Sequence, residues 1–232
     1  MNKFITVIKE INFPAVDEIL KREPKWLAWQ EVGGKNALHF LGGVDISKFP
    51  GKEADSLHIL KLLLEKGLNI NSIHHIPDPN CDFPATPLWY AYTRGRNKTL
   101  YTYLLENGTS PENCMYAIAW YDDVEAAGLF KSHGAKIDCS NGIDTPFIAA
   151  FTWKRLNVAE WFLQNGANVN AVDAKGNTAL FYAVKRKHTV DVMELLLRYG
   201  ADANKQNKEG ISPKQLAEKI GPKKIFGFLK DK

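Results

Sequence analysis

The chain has 232 residues, of which 45% are hydrophobic and 24% are charged, and these proportions are ordinary for a soluble folded protein. The 30 lysines and arginines against 26 acidic residues leave a formal net charge of +4, which is spread over most of the chain. This mild charge does not by itself indicate a nucleic-acid or membrane partner. No uncharged apolar run reaches about 18 residues, so no transmembrane helix is expected.

The cysteines and the first residues favour a reducing compartment. Cys81, Cys114 and Cys139 are odd in number and form no C-x-x-C pair, which fits reduced thiols. Residues 1–10 contain no long apolar core and no small-residue cleavage site, which argues against a secretory signal. We therefore expect a cytoplasmic protein, or one delivered into a host cytosol if it comes from a microbe.

Residues 1–33 are predicted to form a pair of capping helices. Their apolar positions have helical spacing and would bury one face while the other meets water. These positions are Phe4, Ile8, Ile11, Val16, Ile19, Leu20, Trp26 and Leu27.

A spaced pattern then runs through the rest of the chain. A polar anchor is followed five positions later by a small or apolar residue, and a glycine closes each of the first five units. The anchors are Asn36, Thr86, Glu112, Thr145, Thr178 and Ser212, and the glycines are Gly67, Gly108, Gly134, Gly166 and Gly200. A Thr, Ser or Asn anchor can cap a helix, proline can follow at the first helical position, and glycine can end the second helix.

Two of these units correspond in position at a spacing of 33 to 34 residues. Residues 144–150 lead into 161–170, and residues 177–183 lead into 195–204. A period near 33 with a T-P-L-x-x-A opening and an L-L-x-x-G-A close resembles the ankyrin repeat. The resemblance implies an all-α ankyrin-repeat solenoid of stacked helix-turn-helix repeats with short finger loops, and one continuous domain.

The spacing divides that domain into capping helices and five repeats. The predicted parts are 1–33 as N-terminal capping helices, 34–71 as a repeat with an inserted loop, 72–111 as a repeat with a long finger, 112–140 as a shortened divergent repeat, 141–173 and 174–207 as regular repeats, and 208–232 as C-terminal capping helices. The inserted loop is placed at 42–52 and the long finger at 72–83, whereas the finger near 109–112 is nearly absent. The partner is expected near these irregular parts.

The family binds partners, mostly proteins, on a concave face made of the fingers and the first helices. The exposed positions that the resemblance implies on that face form a row of Arg94, Trp120, Trp153 and Arg186. Trp and Arg are frequent at interface hot spots, so a partner protein is expected to contact this row. The expected function is a non-catalytic protein–protein interaction module, which could act as a scaffold, an adaptor or an inhibitor. A tryptophan at a helix end can instead pack against its own repeat, and the sequence leaves this alternative open.

Charged residues beside the row and in the fingers complete the candidate set. Lys154, Arg155 and Lys185 add positive charge at the same edge, which would favour an acidic partner surface or merely aid solubility. Asp144, Asp173 and Lys175 lie at finger tips, where Asp also makes the turn itself.

Other functions have weaker support in the sequence. Nucleic acid or another anionic surface is the alternative partner, through Arg94, Lys154, Arg155, Lys185, Arg186, Lys187, Lys223, Lys224 and Lys230, but the nearly balanced charges weaken it. The long finger contains possible zinc ligands in His74, His75 and Cys81. Adjacent histidines are poorly placed to bind one metal ion, so an exposed recognition loop stiffened by proline is favoured. No catalytic motif is present, so we expect no enzyme activity, no cofactor and no metal. A monomer is expected, and His39 is assigned a structural hydrogen bond to a neighbouring loop.

Overall fold

Short α-helices joined by turns make up most of the chain in a computed structural model, which describes residues 2–77, 82–220 and Gly227. Contacts divide the chain into two compact units, Met1–Cys114 and Met115–Lys232, and each is described by itself. Cys81 and the predicted basic residues Lys223, Lys224 and Lys230 lie outside the described residues.

The first unit consists of helix pairs and one β-hairpin. Its helices are α1 (Lys3–Lys9), α2 (Phe13–Arg22), α3 (Ala37–Gly42), α4 (Glu53–Glu65), α5 (Pro87–Thr93) and α6 (Lys98–Glu106), with 3-10 turns at Pro24–Ala28, Ile46–Lys48 and Glu112–Cys114. Helix α3 packs between α1 and α5 in one layer, and α4 packs between α2 and α6 in a second layer. The buried side chains of the unit lie between the two layers, so the predicted helix pairs are confirmed.

The second unit repeats the same arrangement. Its helices are α7 (Met115–Tyr121), α8 (Val124–Ser132), α9 (Pro146–Thr152), α10 (Leu156–Gln164), α11 (Ala179–Lys185), α12 (Val190–Arg198) and α13 (Pro213–Ile220). Helices α7, α9, α11 and α13 pack side by side in that order, and each of α7, α9 and α11 also packs against the helix that follows it. Successive first helices therefore place equivalent positions of neighbouring repeats side by side.

The predicted signals at the helix ends are confirmed. A backbone N–H in the first turn of three helices donates to the hydroxyl of the threonine anchor, which satisfies a donor that the helix itself leaves free. The pairs are Trp89 with Thr86 at 3.2 Å, Ile148 with Thr145 at 3.3 Å and Phe181 with Thr178 at 3.2 Å. Proline occupies the first position of α5, α9 and α13. The five closing glycines adopt φ between +82° and +100°.

Two segments of the first unit lie outside its helices and were singled out by the spacing. The inserted loop joins α3 to α4, and the Ile46 backbone N–H donates to the Gly95 carbonyl at 3.0 Å. The long finger contains strands β1 (His74–Ile76) and β2 (Phe83–Ala85), which pair antiparallel with His75 opposite Pro84. The structure shows a hairpin here, which the spacing alone did not indicate.

His39 links a helix to the finger loop, as the resemblance implied. The buried ring lies with Nδ1 2.9 Å from the Asn36 side-chain oxygen and Nε2 3.2 Å from the Ser72 carbonyl. Burial lowers the pKa of His39 to about 4, so the ring is neutral near pH 7. A neutral ring fits a structural role in holding the finger.

In the second unit, Asp122 caps a helix of the next repeat. Helix α10 begins after Arg155, whose side chain makes no capping hydrogen bond. Instead the Val158 backbone N–H donates to the Asp122 carboxylate at 2.8 Å, and the Asn157 side-chain amide donates to its other oxygen at 2.7 Å. Asp122 itself has a φ of +57°, a left-handed conformation that few residues tolerate. A capping contact between repeats thus couples two helix pairs.

We expect Asp122→Ala to lower the free energy of unfolding by about 1 to 2 kcal/mol, because it removes a helix cap and Ala tolerates the left-handed conformation poorly. Chemical denaturation followed by circular dichroism would measure the change. Asp122→Asn keeps an acceptor and a residue that tolerates this φ, so it should cost less than about 0.5 kcal/mol. Equal losses for the two variants would contradict the capping role.

Candidate partner-binding surface

Two predicted tryptophans contact each other at the ends of neighbouring helices. Trp120 lies near the end of α7, and Trp153 is the residue that caps the C-terminus of α9. Because α7 and α9 pack side by side, the rings meet edge to face with centroids 5.1 Å apart and an interplanar angle of 79°. This geometry is favourable for an aromatic pair. Trp120 remains 49% exposed, and Trp153 is half-buried.

Arg155 joins this pair. Its guanidinium carbon lies 5.7 Å from the centroid of the Trp120 ring, within the range of a cation–π interaction. Its Nε atom is buried and makes no hydrogen bond to any described residue. We call Trp120, Trp153 and Arg155 the indole cluster. Tyr121, which ends α7, and Leu156, which begins α10, are also exposed, at 37% and 36%.

The other basic candidates occupy different places. Lys185 ends α11 and Arg186 caps it, and both are exposed in the second unit. Lys154 is exposed and has a φ of +57°, so its backbone forms the left-handed turn between α9 and α10. Arg94 caps the C-terminus of α5 in the first unit, where it is exposed and its guanidinium lies 5.8 Å from the Trp89 ring centroid.

The finger residue Asp173 is engaged within its own turn. One carboxylate oxygen accepts hydrogen bonds from the backbone N–H groups of Lys175 and Asn177, each at 2.8 Å. The other oxygen accepts from the Asn177 amide at 3.1 Å and from the Tyr182 hydroxyl at 2.7 Å. Burial by itself would raise the pKa of Asp173, but these hydrogen bonds outweigh it and lower the pKa. Asp173 thus stabilises the finger as an ionised acceptor.

The other two finger candidates differ in exposure. Asp144 is half-buried, its backbone N–H donates to the Asn141 side chain at 3.0 Å, and its carbonyl accepts from Ser140 at 3.0 Å. Burial raises the pKa of the Asp144 carboxyl above its ordinary value. Lys175 is exposed, and its carbonyl accepts from the Lys208 backbone N–H at 3.0 Å. Of the three finger candidates, Lys175 therefore presents its charge most openly to solvent.

The sequence reasoning missed a groove in the first unit. The groove has a volume of about 600 Å³, and its walls are α1, α3, α5, the inserted loop and strand β1. Its lining includes Lys9, Lys35 and Phe40, none of which is part of the repeat pattern, together with Tyr90 and Arg94. The insert at 42–52 was the signal that could have pointed to it, because an added loop between two helices can wall off a cleft.

The long finger shows no metal arrangement in its described part. The His74 ring nitrogen Nδ1 lies 2.7 Å from the Tyr90 hydroxyl, so that nitrogen has a hydrogen-bond partner within the fold. Within residues 2–77 and 82–220, no three His, Cys, Asp or Glu side chains are grouped as metal ligands would be. Over the same residues, no helix has both the length and the apolar character that crossing a membrane requires.

The fold is that of a helical repeat protein, because paired short helices with capped ends and finger loops stack in two layers. Residues 114–207 match the family model described as ankyrin repeats in three copies. The fold agrees with the crystal structure of the human ASB11 ankyrin repeat domain, with a TM-score of 0.74, 21% identity and coverage of 99% of this chain and 97% of that one. Residues 114–207 therefore carry ankyrin repeats, and the expected ankyrin-repeat fold of the chain is confirmed.

Two sequence relatives are also described as ankyrin repeat proteins. One, from Rickettsia bellii, is 33% identical over 129 residues, which is 53% of this chain and 52% of the relative. The other, from Acanthamoeba polyphaga mimivirus, is 51% identical over 51 residues, which is 22% of this chain and 12% of the relative. The chain thus spans about half of the first relative and about an eighth of the second. Ankyrin repeats are generally protein–protein interaction modules.

Proposed function

We propose that this chain is a non-catalytic interaction module that binds a partner protein through the indole cluster. The observation that carries the proposal is the contact between Trp120 and Trp153, with Trp120 half exposed and Arg155 over its ring. Leaving a large aromatic ring in water forgoes the free energy of burying it. A partner that covers the ring would recover that free energy.

The residue types and their surroundings support a hot spot. Trp and Arg are enriched among residues that dominate binding, and such residues are surrounded by contacts that exclude water. Tyr121 and Leu156 provide exposed apolar surface beside the cluster. The exposed Lys185 and Arg186 add positive charge in the same unit, which an acidic surface on the partner would complement.

The partner must first be identified by affinity capture of the full chain from cells, followed by mass spectrometry. We expect Trp120→Ala to weaken binding of that partner by about 30-fold or more, because a desolvated hot-spot tryptophan contributes about 2 kcal/mol. Trp153→Ala should weaken it as well, since it removes the ring that supports Trp120. Isothermal titration calorimetry would measure both changes.

Tyr199→Ala is the matched control, because Tyr199 is a comparably exposed aromatic residue at the end of α12. It should leave the affinity unchanged. Thermal unfolding should change little for Trp120→Ala. A large loss of stability in that variant, or an affinity equal to that of the control, would show that the cluster is packing and not an interface.

A cytosolic location is part of the proposal. Cys114 is buried and Cys139 is partly buried, and neither forms a disulfide among the described residues. Cysteines kept as thiols favour a reducing compartment. Imaging of a fluorescent fusion in the source cell, and in a host cell if the source is a microbe, would test the location.

A further inference from the structure

The groove in the first unit has a strongly positive lining. Four cationic side chains and one carboxylate face it, together with aromatic and aliphatic groups that form its apolar surface. The cations are Lys9, Lys35, Lys48 and Arg94, the carboxylate is Asp45, and the apolar side chains are Phe40, Val44, Phe49, Ile76 and Tyr90. An opening of about 600 Å³ is within the range of sites that bind a ligand or a short peptide segment.

Two of the cations converge on one ring. The Lys35 ammonium nitrogen lies 4.5 Å from the centroid of Phe40 and 5.3 Å from that of Tyr90. The Lys9 ammonium lies 5.0 Å from the centroid of the same Phe40 ring. The two like charges repel each other, so an anion bound near both would offset that repulsion.

Three of these cations have no acidic partner among the described residues. No carboxylate oxygen of that part of the chain lies within 4 Å of the Lys9 or Lys35 ammonium or of the Arg94 guanidinium. The Asp45 carboxylate instead accepts hydrogen bonds from the Ser47 backbone N–H at 3.2 Å and the Ser47 hydroxyl at 2.7 Å. The lining therefore keeps an excess of positive charge, since four cations face one carboxylate and none of these three cations has a carboxylate within 4 Å among the described residues.

The positive charges of the groove also affect the pKa of Lys35. Burial lowers this pKa, and the positive charges of Lys9 and Arg94 lower it further, while Glu31 acts in the opposite direction. Because burial and neighbouring cations disfavour the charged form of Lys35, an anion bound beside it would stabilise that form.

We infer that this groove binds an acidic peptide segment that carries an apolar side chain, an inference that rests on the proposed function as a protein-interaction module. The carboxylates of such a segment would contact Lys9, Lys35 and Arg94, and its apolar side chain would cover Phe40. The groove also contains an acceptor, the Asp45 carboxylate. The backbone N–H groups of a peptide can donate to it, whereas the phosphate groups of a nucleic acid would be repelled by it.

The test uses the full chain and a fluorescein-labelled peptide of glutamates around one leucine. Fluorescence anisotropy should show binding at about 0.05 M salt that weakens at about 0.5 M salt, because screening removes the attraction between exposed charges. The triple variant Lys9→Gln, Lys35→Gln and Arg94→Gln should bind the peptide at least about tenfold more weakly. Glutamine keeps most of the side-chain length, so the apolar packing is largely retained.

Two control variants test whether the peptide binds in the groove itself. Lys66→Gln removes one positive charge at an exposed position outside the groove and should bind like the unmodified chain. Trp120→Ala should also bind the peptide normally, so a failure of the groove is distinguishable from a failure of the indole cluster. Circular dichroism of each variant verifies folding.

Three results would overturn the inference. The first is no binding of the glutamate peptide at low salt. The second is an affinity that the triple variant leaves unchanged. The third is tighter binding of a single-stranded oligonucleotide of equal charge that displaces the peptide, which would make the groove a nucleic-acid site.

Discussion

Phe151→Ala is expected to lower the free energy of unfolding by about 3 to 5 kcal/mol, which is the usual cost of deleting a fully buried ring. Phe151 lies in α9 and is completely buried. Its ring packs edge to face against Phe147, with centroids 5.2 Å apart, and lies 6.1 Å from the ring of His188. Removing it would leave a cavity where two repeats meet. Equilibrium denaturation in guanidinium, followed by circular dichroism, would measure the loss.

The large effect of Phe151→Ala comes from the buried position of the ring and not from its being aromatic. Tyr199→Ala also deletes a ring, but Tyr199 is 42% exposed, so its removal should cost less than about 1 kcal/mol. The His188 ring nitrogen Nε2 lies 3.3 Å from the Phe151 carbonyl, a contact that the substitution leaves in place. If Phe151→Ala and Tyr199→Ala cost the same, the core would lie elsewhere than between these helices.

Gly95→Ala is expected to lower the free energy of unfolding by about 2 to 3 kcal/mol through a steric clash. A Cβ atom at this position would lie only 2.1 Å from the Gly42 carbonyl oxygen and 3.1 Å from that of Val44. The backbone of the inserted loop would have to move. That movement would break the hydrogen bond from the Ile46 N–H to the Gly95 carbonyl. The same denaturation measurement applies.

Gly128→Ala is a control that should change the free energy of unfolding in the opposite direction. Gly128 is exposed inside helix α8, and nothing lies within 4 Å of the position its Cβ would take. Alanine has the higher helix propensity, so this change should raise the free energy of unfolding by about 0.5 to 1 kcal/mol. If both substitutions have the same sign, close backbone approach does not explain the glycine at position 95.

The helix ends could be predicted from sequence because their requirements are local. A helix leaves its first N–H groups without partners, and a side chain one to three residues away either supplies an acceptor or does not. Thr86, Thr145 and Thr178 are therefore recognisable from their neighbours alone. Asp122 was not recognisable in this way, because it caps a helix that starts more than 30 residues later.

The candidate surface was predictable only in part. The repeat register placed Trp120 and Trp153 at equivalent helix ends, and the structure brings their rings into contact. The repeat pattern did not indicate that Arg155 packs over Trp120, since this depends on the left-handed turn at Lys154. The contribution of these residues to partner binding stays a prediction.

By itself, the sequence determined the repeat period, the helix ends, the inserted loop and the fold family, since each depends on hydrogen bonding and packing that recur at fixed spacing. Only the tertiary structure decided the groove. Arg94 lies at a repeat position, but Lys9 and Lys35 follow no period, and the three residues come from separate parts of the chain. Their charges act together because α1, α3 and α5 pack side by side. Electrostatic interactions depend on distance in space, which a linear pattern does not record.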